Sequence, residues 1–280
     1  MAPIFLSVKN TGRPQILASE KDFLLVFKPP GMHTAPLAHS HSDNLFDWCA
    51  RKFPEITGVN GRRAGEGGLL HRLDLETHGL ILIARTQYGM VSLTGQQKEG
   101  KIIKEYNAIV SPNTKTLPGF PGEKPDIPAY LFSGATIHKN QNKAPIPFRV
   151  GSAFRPYGFG RKAVRPVLAE HTNGTDHGGI KKIKDVVFDD GKPYVTEILS
   201  SRFFPHGITS LRLRIYRGFR HQIRCHLAWL GNSILNDSIY GGMQFGKGLL
   251  GLKACAITFS NPSLGKKFTY SLPPLDLDDI

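Results

Sequence analysis

Most of the patterned part of this chain consists of short apolar segments that end at turns rich in glycine and proline. Segments of about 4–8 apolar residues with such boundaries are typical of β-strands. The last two apolar segments, residues 252–259 and 267–273, flank the turn sequence SNPSLGK and predict a hairpin. Because strands predominate and hairpins join several of them, the pattern predicts an α+β fold with a mixed, largely antiparallel sheet and flanking helices. The predicted strands lie within residues 22–33, 79–85, 104–110, 208–216, 252–259 and 267–273.

Three segments are predicted to be helices. Residues 42–53 carry apolar side chains at helical spacing, and Ser42 or Asp43 is placed to cap this helix. Residues 86–100 end at a glycine, and residues 220–231 have apolar side chains at positions i, i+4 and i+7 before a glycine.

Residues 111–190 have a different composition from the rest of the chain. Proline, glycine, lysine and histidine are frequent there, and the apolar periodicity weakens. We interpret this region as loops with a few short strands, inserted into a single domain that spans residues 1–280.

The charge of the chain limits its partners. Lysine and arginine number 36 against 22 acidic residues, a net charge of +14. Such an excess favours polyanions such as RNA, DNA or an acidic membrane surface, although a protein that is merely basic has the same composition. No apolar stretch approaches the roughly 20 residues that cross a bilayer, and the chain starts without a signal-peptide pattern, so no membrane association is expected.

The cysteines indicate the compartment. Cys49, Cys225 and Cys255 are far apart and form no C-x-x-C pair. This spacing argues against a zinc ribbon and against a secreted disulfide framework, so we expect a cytoplasmic protein.

The segment GLLHRLDLETHGLILIAR, residues 68–85, places Asp74 between two leucines and close to Arg72. A surface salt bridge or a helix cap would account for such an acid. Asp74 also immediately precedes a predicted buried strand, and the ends of strands are where scaffolds hold functional groups rigidly. The segment alone does not decide between these interpretations.

Two further segments concentrate groups of interest. Tyr106 lies in a predicted strand, where a tyrosine is ordinarily a packing residue. Residues 212–226 interleave arginines with aromatic and histidine side chains and contain no acid. This combination suits a nucleic-acid surface, because guanidinium groups bind phosphate and rings stack on bases. The arginines are Arg212, Arg214, Arg217, Arg220 and Arg224.

Other chemistries lack their motifs. The histidine spacings do not match the H-x-x-x-H of a helical zinc site. The chain contains neither a G-x-S-x-G nucleophile elbow nor a G-x-x-x-x-G-K-[ST] phosphate loop. We therefore expect neither a metal nor a nucleotide cofactor.

Several segments together resemble the RluA-type RNA pseudouridine synthases. They occur in the family's order and cover residues 15–110 and 190–275. FLLVFKPPGMH resembles the early Lys-Pro-x-Gly turn, HRLDLETHGLILIAR the active-site segment, KEYNAIV the second motif, HQIRCHLAWLGNSILNDSIYGG the third, and LKACAITFSNPSLGKKFTYSLP the closing hairpin.

The sequence departs from the family pattern at a few places. His78 stands where the family usually has serine, Gly218-Phe219-Arg220 replaces Gly-Arg-Thr, and Asn236 replaces the glycine before Asp237. The region 111–190 matches poorly and is longer than usual. These departures bear on the choice of substrate, since Asp74, Tyr106 and Arg224 keep the family's residue types. Many members also carry an amino-terminal S4 domain, which is not expected in this chain.

The resemblance implies the pseudouridine synthase catalytic fold and its isomerisation of uridine. Asp74 would be the nucleophilic or charge-stabilising carboxylate, and attack on the sugar or on the base is left open. Arg224 would pair with Asp74 and hold it ionised, while Tyr106 would stack under the uracil and help to remove the C5 proton. Leu252 would pack against the base. RNA is expected to contact His71, Arg72, Arg217, Arg220, His221 and Gln222.

Three functional hypotheses follow. The first is a monomeric RNA pseudouridine synthase that acts on ribosomal or transfer RNA. The alternative is a catalytically inactive RNA-binding protein on the same fold, which would have no need of Asp74. A metal-dependent nuclease would require a cluster of carboxylates, and only Asp74 and Glu76 are close in sequence. For residues 111–190, an RNA clamp and a lineage-specific surface loop both stay open.

Overall fold

The computed structural model describes residues 2–9, 11–37, 43–113, 117, 125–127, 131–132, 147–168, 186–188 and 191–280. The chain divides into two compact units. The first unit comprises Met1–Tyr106 and Leu252–Asp276, and the second comprises Asn107–Gly251 and Leu277–Ile280. A single catalytic domain over the whole chain stays a prediction.

Strands outnumber helices in the described part of the chain. The helices are α1 (Leu45–Ala50), α2 (Gln87–Lys98) and α3 (Gln222–Trp229). The strands are β1 (Ile4–Phe5), β2 (Gln15–Ser19), β3 (Phe23–Lys28), β4 (His78–Ala84), β5 (Ile103–Pro112), β6 (Phe148–Tyr157), β7 (Ala163–Val167), β8 (Tyr194–Phe203), β9 (Thr209–Ile215), β10 (Asn232–Ile234), β11 (Leu252–Ser260) and β12 (Lys267–Ser271).

The first unit contains a mixed sheet in the order β2-β3-β4-β11-β12-β1. The pairs β2–β3, β3–β4 and β11–β12 are antiparallel, whereas β4–β11 and β1–β12 are parallel. Every residue of β4 is buried, as its unbroken apolar sequence predicts. The core of this unit includes Phe23 and Phe259, whose rings meet edge to face with centroids 4.9 Å apart.

The helices of the first unit begin at side-chain caps. Thr86 caps α2, and its hydroxyl accepts a hydrogen bond from the Gly89 N–H at 3.0 Å. The predicted cap of α1 was wrong: the cap is Asn44, whose side chain accepts from the Asp47 N–H at 2.9 Å. Of the two predicted caps, Ser42 lies outside the described residues, and Asp43 precedes the cap by one residue.

The second unit contains strands in the order β10-β5-β9-β8-β6-β7, and β5 contributes only its residues from Asn107 onward, since its first four belong to the first unit. The pairs β5–β10, β8–β9, β6–β8 and β6–β7 are antiparallel. In β9 the side chains of Leu211, Leu213 and Ile215 are buried and alternate with more exposed ones, as the sequence pattern predicts. The α+β prediction with a mixed, largely antiparallel sheet is thus confirmed.

The described part of the region 111–190 contains β6, with ten residues, and β7, with five, joined as an antiparallel hairpin. A few short strands were predicted in this region, but a strand of ten residues was not, because Gly151 and Pro156 interrupt the apolar alternation of β6. That the region is an insertion stays a prediction. Among the described residues, no helix is long and apolar enough to cross a membrane.

Candidate active site

Asp74 lies in the loop immediately before β4. Residues of the turn after β3 form hydrogen bonds with the residue before Asp74 and with the residue after it. The Thr34 hydroxyl accepts a hydrogen bond from the Leu73 N–H at 3.1 Å and donates one to the Leu73 carbonyl at 2.9 Å. The Gly31 N–H donates to the Leu75 carbonyl at 2.9 Å. Both neighbours of Asp74 are therefore fixed, and its half-buried carboxylate is carried on a firmly held backbone.

Lys28 stabilises the same loop from inside the unit. Its side chain is fully buried, and burial lowers its pKa to about 7, an effect that the nearby carboxylates of Asp74 and Glu76 partly oppose. The turn after β3 was predicted, but no role was predicted for Lys28, although a lysine within a buried strand indicates a polar partner. Its ammonium group donates to the carbonyls of Pro29, Met32 and Leu75, at 2.9, 2.7 and 3.1 Å.

Tyr106 lies close enough to Asp74 for the two groups to interact electrostatically. The side chain is buried in β5, with 6% of its surface exposed. Burial raises the pKa of its phenol, and the charges of Asp74 and of Cys255 raise it further. The phenol is therefore neutral at physiological pH. The first unit thus brings together the predicted catalytic residues Asp74 and Tyr106.

Leu252 belongs to the same unit and begins β11. The next two residues of β11 pair in parallel with His78 and Gly79, at the start of β4. Gly79 permits this close approach: its φ is +126°, and a Cβ there would lie 2.2 Å from the Ala254 carbonyl oxygen. The buried Leu252 side chain is thus placed beside the end of β4 that the Asp74 loop enters.

The two residues before Asp74 that were predicted to bind RNA have different environments. The His71 Nε2 accepts a hydrogen bond from the Leu82 N–H at 3.1 Å, and burial lowers the His71 pKa to about 3. Its ring is therefore neutral and cannot act as a cation for phosphate. Arg72 is exposed, and its guanidinium lies 3.3 Å from the Glu66 carboxylate. An RNA phosphate could replace Glu66 as the partner of Arg72 in this exposed ion pair. RNA contact by either residue stays a prediction.

In the second unit, Arg224 forms a buried ion pair with Asp237. The Arg224 Nε donates to Asp237 Oδ2 at 2.7 Å and its Nη2 donates to Oδ1 at 2.9 Å. The backbone N–H groups of Ile239 and Tyr240 also donate to Oδ1, at 3.0 and 3.1 Å. Both charged side chains are almost completely buried. This bidentate arrangement fixes the guanidinium plane, and a guanidinium has further donors for a second carboxylate.

Sequence reasoning missed the role of Asp237. The segment Asn236-Asp237 was compared with the family's Gly-Asp, but no partner was assigned to the acid. Arg224 and Asp237 are thirteen positions apart in sequence. They meet only because the chain turns after β10, and no local pattern predicts this contact. The predicted partner of Arg224, Asp74, lies in the other unit, so that pair stays a prediction.

The residues before and at the start of α3 make contacts within the second unit. The Gln222 side chain accepts from the Phe219 N–H at 3.0 Å and donates to the Val195 carbonyl at 3.0 Å. His221 has a φ of +55°, and its Nδ1 lies 3.3 Å from the Tyr240 hydroxyl. These contacts shape the turn before α3. RNA binding by His221, Gln222, the half-buried Arg217 and the exposed Arg220 stays a prediction.

The family model described as RNA pseudouridylate synthase matches residues 22–229, and the chain belongs to this family. This match confirms the resemblance drawn from the motifs. Similar curated proteins are named ribosomal large subunit pseudouridine synthase D. The protein from Buchnera aphidicola is 23% identical over 93% of this chain and 62% of its own length. The one from Pseudomonas aeruginosa is 26% identical over 81% of this chain and 53% of its own length.

A third such protein, from Xanthomonas campestris, is 26% identical over 99% of this chain and 72% of its own length. The chain therefore spans between about half and three quarters of these relatives. Among solved structures, human RNA pseudouridylate synthase domain containing 4 superimposes with a TM-score of 0.58 at 16% identity. The superposition covers 94% of this chain and 89% of the human chain, and it shows the fold.

Proposed function

We propose that this protein is an RNA pseudouridine synthase that isomerises uridine in ribosomal or transfer RNA. The observation that carries the proposal is the Asp74 carboxylate, whose loop is held at the Leu73 and Leu75 backbone by Thr34 and Lys28 and whose charge raises the pKa of Tyr106. Membership of the family supports the same reaction. The protein would act as a monomer in the cytoplasm, where its three free, buried cysteines would stay reduced.

The reaction assigns a clear task to Asp74. The bond between C1′ and N1 of the uridine breaks, the uracil turns, a bond from C1′ to C5 forms, the C5 proton leaves, and N1 takes up a proton. Asp74 would add to C1′ of the sugar or to C6 of the base and hold the separated fragment during the turn. Atoms and oxidation state balance without a further reactant, so the proposal includes no metal or nucleotide cofactor.

Arg224 and Tyr106 would support this carboxylate. Arg224 would pair with Asp74 through donors that Asp237 does not occupy and keep Asp74 ionised. The neutral Tyr106 ring would stack under the uracil, and its hydroxyl oxygen would assist removal of the C5 proton. Leu252 would supply apolar contact to the base.

RNA would be bound by the basic residues predicted from the sequence, namely Arg72, Arg217 and Arg220, and hydrogen-bonded by His71, His221 and Gln222. A uridine within a stack must be flipped out before it can reach Asp74. Loops and distorted helices are therefore the expected targets, since their bases are the least costly to extrude.

The proposal is tested by tritium release from RNA that carries [5-³H]uridine, because isomerisation transfers the C5 hydrogen to solvent. Wild-type protein should release tritium, and Asp74→Asn should release none while its RNA affinity stays within a few-fold. Asp43→Asn is the matched control, since Asp43 is exposed and its pair with Arg51 is long, at 3.6 Å. Equal release by Asp74→Asn and wild type would remove Asp74 from the reaction. RNA binding without release by the wild type would favour the inactive RNA-binding protein.

A further inference from the structure

The hairpin of β6 and β7, residues 148–167, combines basic and aromatic side chains, of which Arg149 pairs with Glu197 and Phe154 stacks on Phe219. We call it the basic hairpin. It contains five basic side chains, four aromatic side chains and no acidic one. A solvated surface hairpin would mix charges of both signs, whereas a nucleic-acid surface combines cations with rings.

The tip of the basic hairpin presents an aromatic ring to solvent. Phe159 is completely exposed, with a relative accessibility of 100%. It lies between Gly158 and Gly160, whose φ angles of +81° and +64° form the turn that projects it. The next residue, Arg161, also has a positive φ, +55°, which is unusual for a side chain of its size. A tip of this shape offers a flat apolar face that a nucleic-acid base could cover.

One face of the basic hairpin brings two cations together. Arg155 and Arg165 are directly opposite each other in the β6–β7 ladder. Both guanidinium groups lie over the Tyr157 ring, at 5.6 and 4.4 Å from its centroid. Like charges at opposed positions repel each other, and the contact of both guanidinium groups with the Tyr157 ring offsets part of this repulsion.

The hydrogen bonding of Arg155 indicates an acceptor that the described residues do not supply. The Arg155 Nε is buried and has no hydrogen-bond partner among the described residues. Arg165, by contrast, is 3% exposed, and its Nη1 donates to the Val164 carbonyl at 2.8 Å. A phosphodiester oxygen would supply the acceptor and a counter-charge to Arg155.

The end of the hairpin next to its turn is bonded to α3, the element that carries Arg224, and to residues close to it. The Val164 N–H donates to the Tyr240 hydroxyl at 3.0 Å, and the Cys225 thiol, in α3, donates to the Val164 carbonyl at 3.4 Å. Arg220 donates to the carbonyls of Arg161 and Ala163, at 2.7 and 3.2 Å. The exposed ring is therefore held in a defined position relative to α3.

From these observations we infer that the basic hairpin binds unpaired nucleotides of the RNA substrate. Phe159 stacks on one base, and Arg155 binds a neighbouring phosphate. That the ligand is RNA rests on the proposed function. An acidic protein segment would satisfy the arginines, but a fully exposed ring between two glycines suits the flat face of a base.

The test measures binding of fluorescein-labelled single-stranded oligouridylate by anisotropy. Phe159→Ala should weaken the affinity about 5- to 100-fold, because the stacked base loses its platform. The matched control is Phe5→Ala, which removes another exposed phenylalanine, 76% accessible, in the first unit and should leave the affinity unchanged. Arg155→Gln should lower the dependence of log affinity on log salt by about one phosphate contact.

The inference is overturned if Phe159→Ala and Arg155→Gln both bind oligouridylate like the wild type. It is also overturned if a blunt RNA duplex, which has no free base, loses as much affinity on Phe159→Ala as the single strand does. Tritium release separates this inference from the proposed function. A wild type that releases no tritium, with Phe159→Ala still weakening RNA binding, would contradict the proposed reaction and leave the hairpin's role supported.

Discussion

The buried ion pair of Arg224 and Asp237 makes a stability prediction whose size can be worked out from the structure. Asp237→Asn keeps the Oδ1 acceptor for the N–H groups of Ile239 and Tyr240, removes the charge, and replaces Oδ2, which accepts from the Arg224 Nε, with an amide donor. Arg224, 1% exposed, would then be a buried cation without its Asp237 counter-ion. Breaking a pair of this kind costs about 3–5 kcal/mol of the free energy of unfolding.

Urea denaturation followed by Trp229 fluorescence measures this loss, since Trp229 is buried at the end of α3. With a typical m-value, the midpoint should fall by about 1–2 M. Asp237→Ala should be still less stable, because it also removes the acceptor for two backbone N–H groups.

Two further variants control the interpretation. Asp43→Asn, which removes an exposed carboxylate, should change the free energy of unfolding by less than about 0.5 kcal/mol. Replacing both partners, in Arg224→Met with Asp237→Leu, should be less destabilising than the sum of the single changes, since no charge is then buried alone. The ion-pair argument is refuted if Asp237→Asn unfolds within about 1 kcal/mol of the wild type.

Three other predictions concern the first unit. Because the Lys28 pKa is lowered from 10.5 to about 7, the folded state releases a proton between these pH values that the unfolded state keeps. The free energy of unfolding of the wild type, relative to that of Lys28→Met, should therefore rise between pH 7 and 10 by up to about 1.4 kcal/mol per pH unit. A difference that stays constant with pH in urea melts would contradict this prediction. Gly79→Ala would place a Cβ 2.2 Å from the Ala254 carbonyl oxygen. It should lower the free energy of unfolding by about 2–4 kcal/mol in the same melts. The control Gly95→Ala, at an open position of α2, should leave the free energy of unfolding unchanged or raise it. Tyr106→Phe should slow tritium release about 100-fold with unchanged RNA affinity, since the ring remains and only the hydroxyl is lost; an unchanged rate would confine Tyr106 to stacking.

The parts of the fold that follow from local sequence were predictable. The unbroken apolar run of β4, the alternation of Leu211 and Leu213 in β9, and the apolar stripe of α3 each reflect a period that the chain itself sets. Asp74 and Tyr106 were identified through motif resemblance, and in the structure the Asp74 charge contributes to raising the pKa of the Tyr106 phenol.

The parts that depend on distant contacts were not predictable. Lys28 is held by a carbonyl 47 positions away, that of Leu75, and Asp237 becomes the partner of Arg224 only after the turn beyond β10 forms. The cap of α1 was misplaced because several capping residues are adjacent in sequence, and it is Asn44 whose extended backbone aims its side chain at the Asp47 N–H.

The central claim, that Asp74 converts uridine to pseudouridine in cellular RNA, is tested most directly by mapping pseudouridine. Total RNA would be treated with carbodiimide and read by primer extension from cells that carry the gene, lack it, or carry Asp74→Ala. The account predicts at least one pseudouridine that is present in the first strain and absent from the other two. A pseudouridine that disappears with the gene but persists in the Asp74→Ala strain would contradict it.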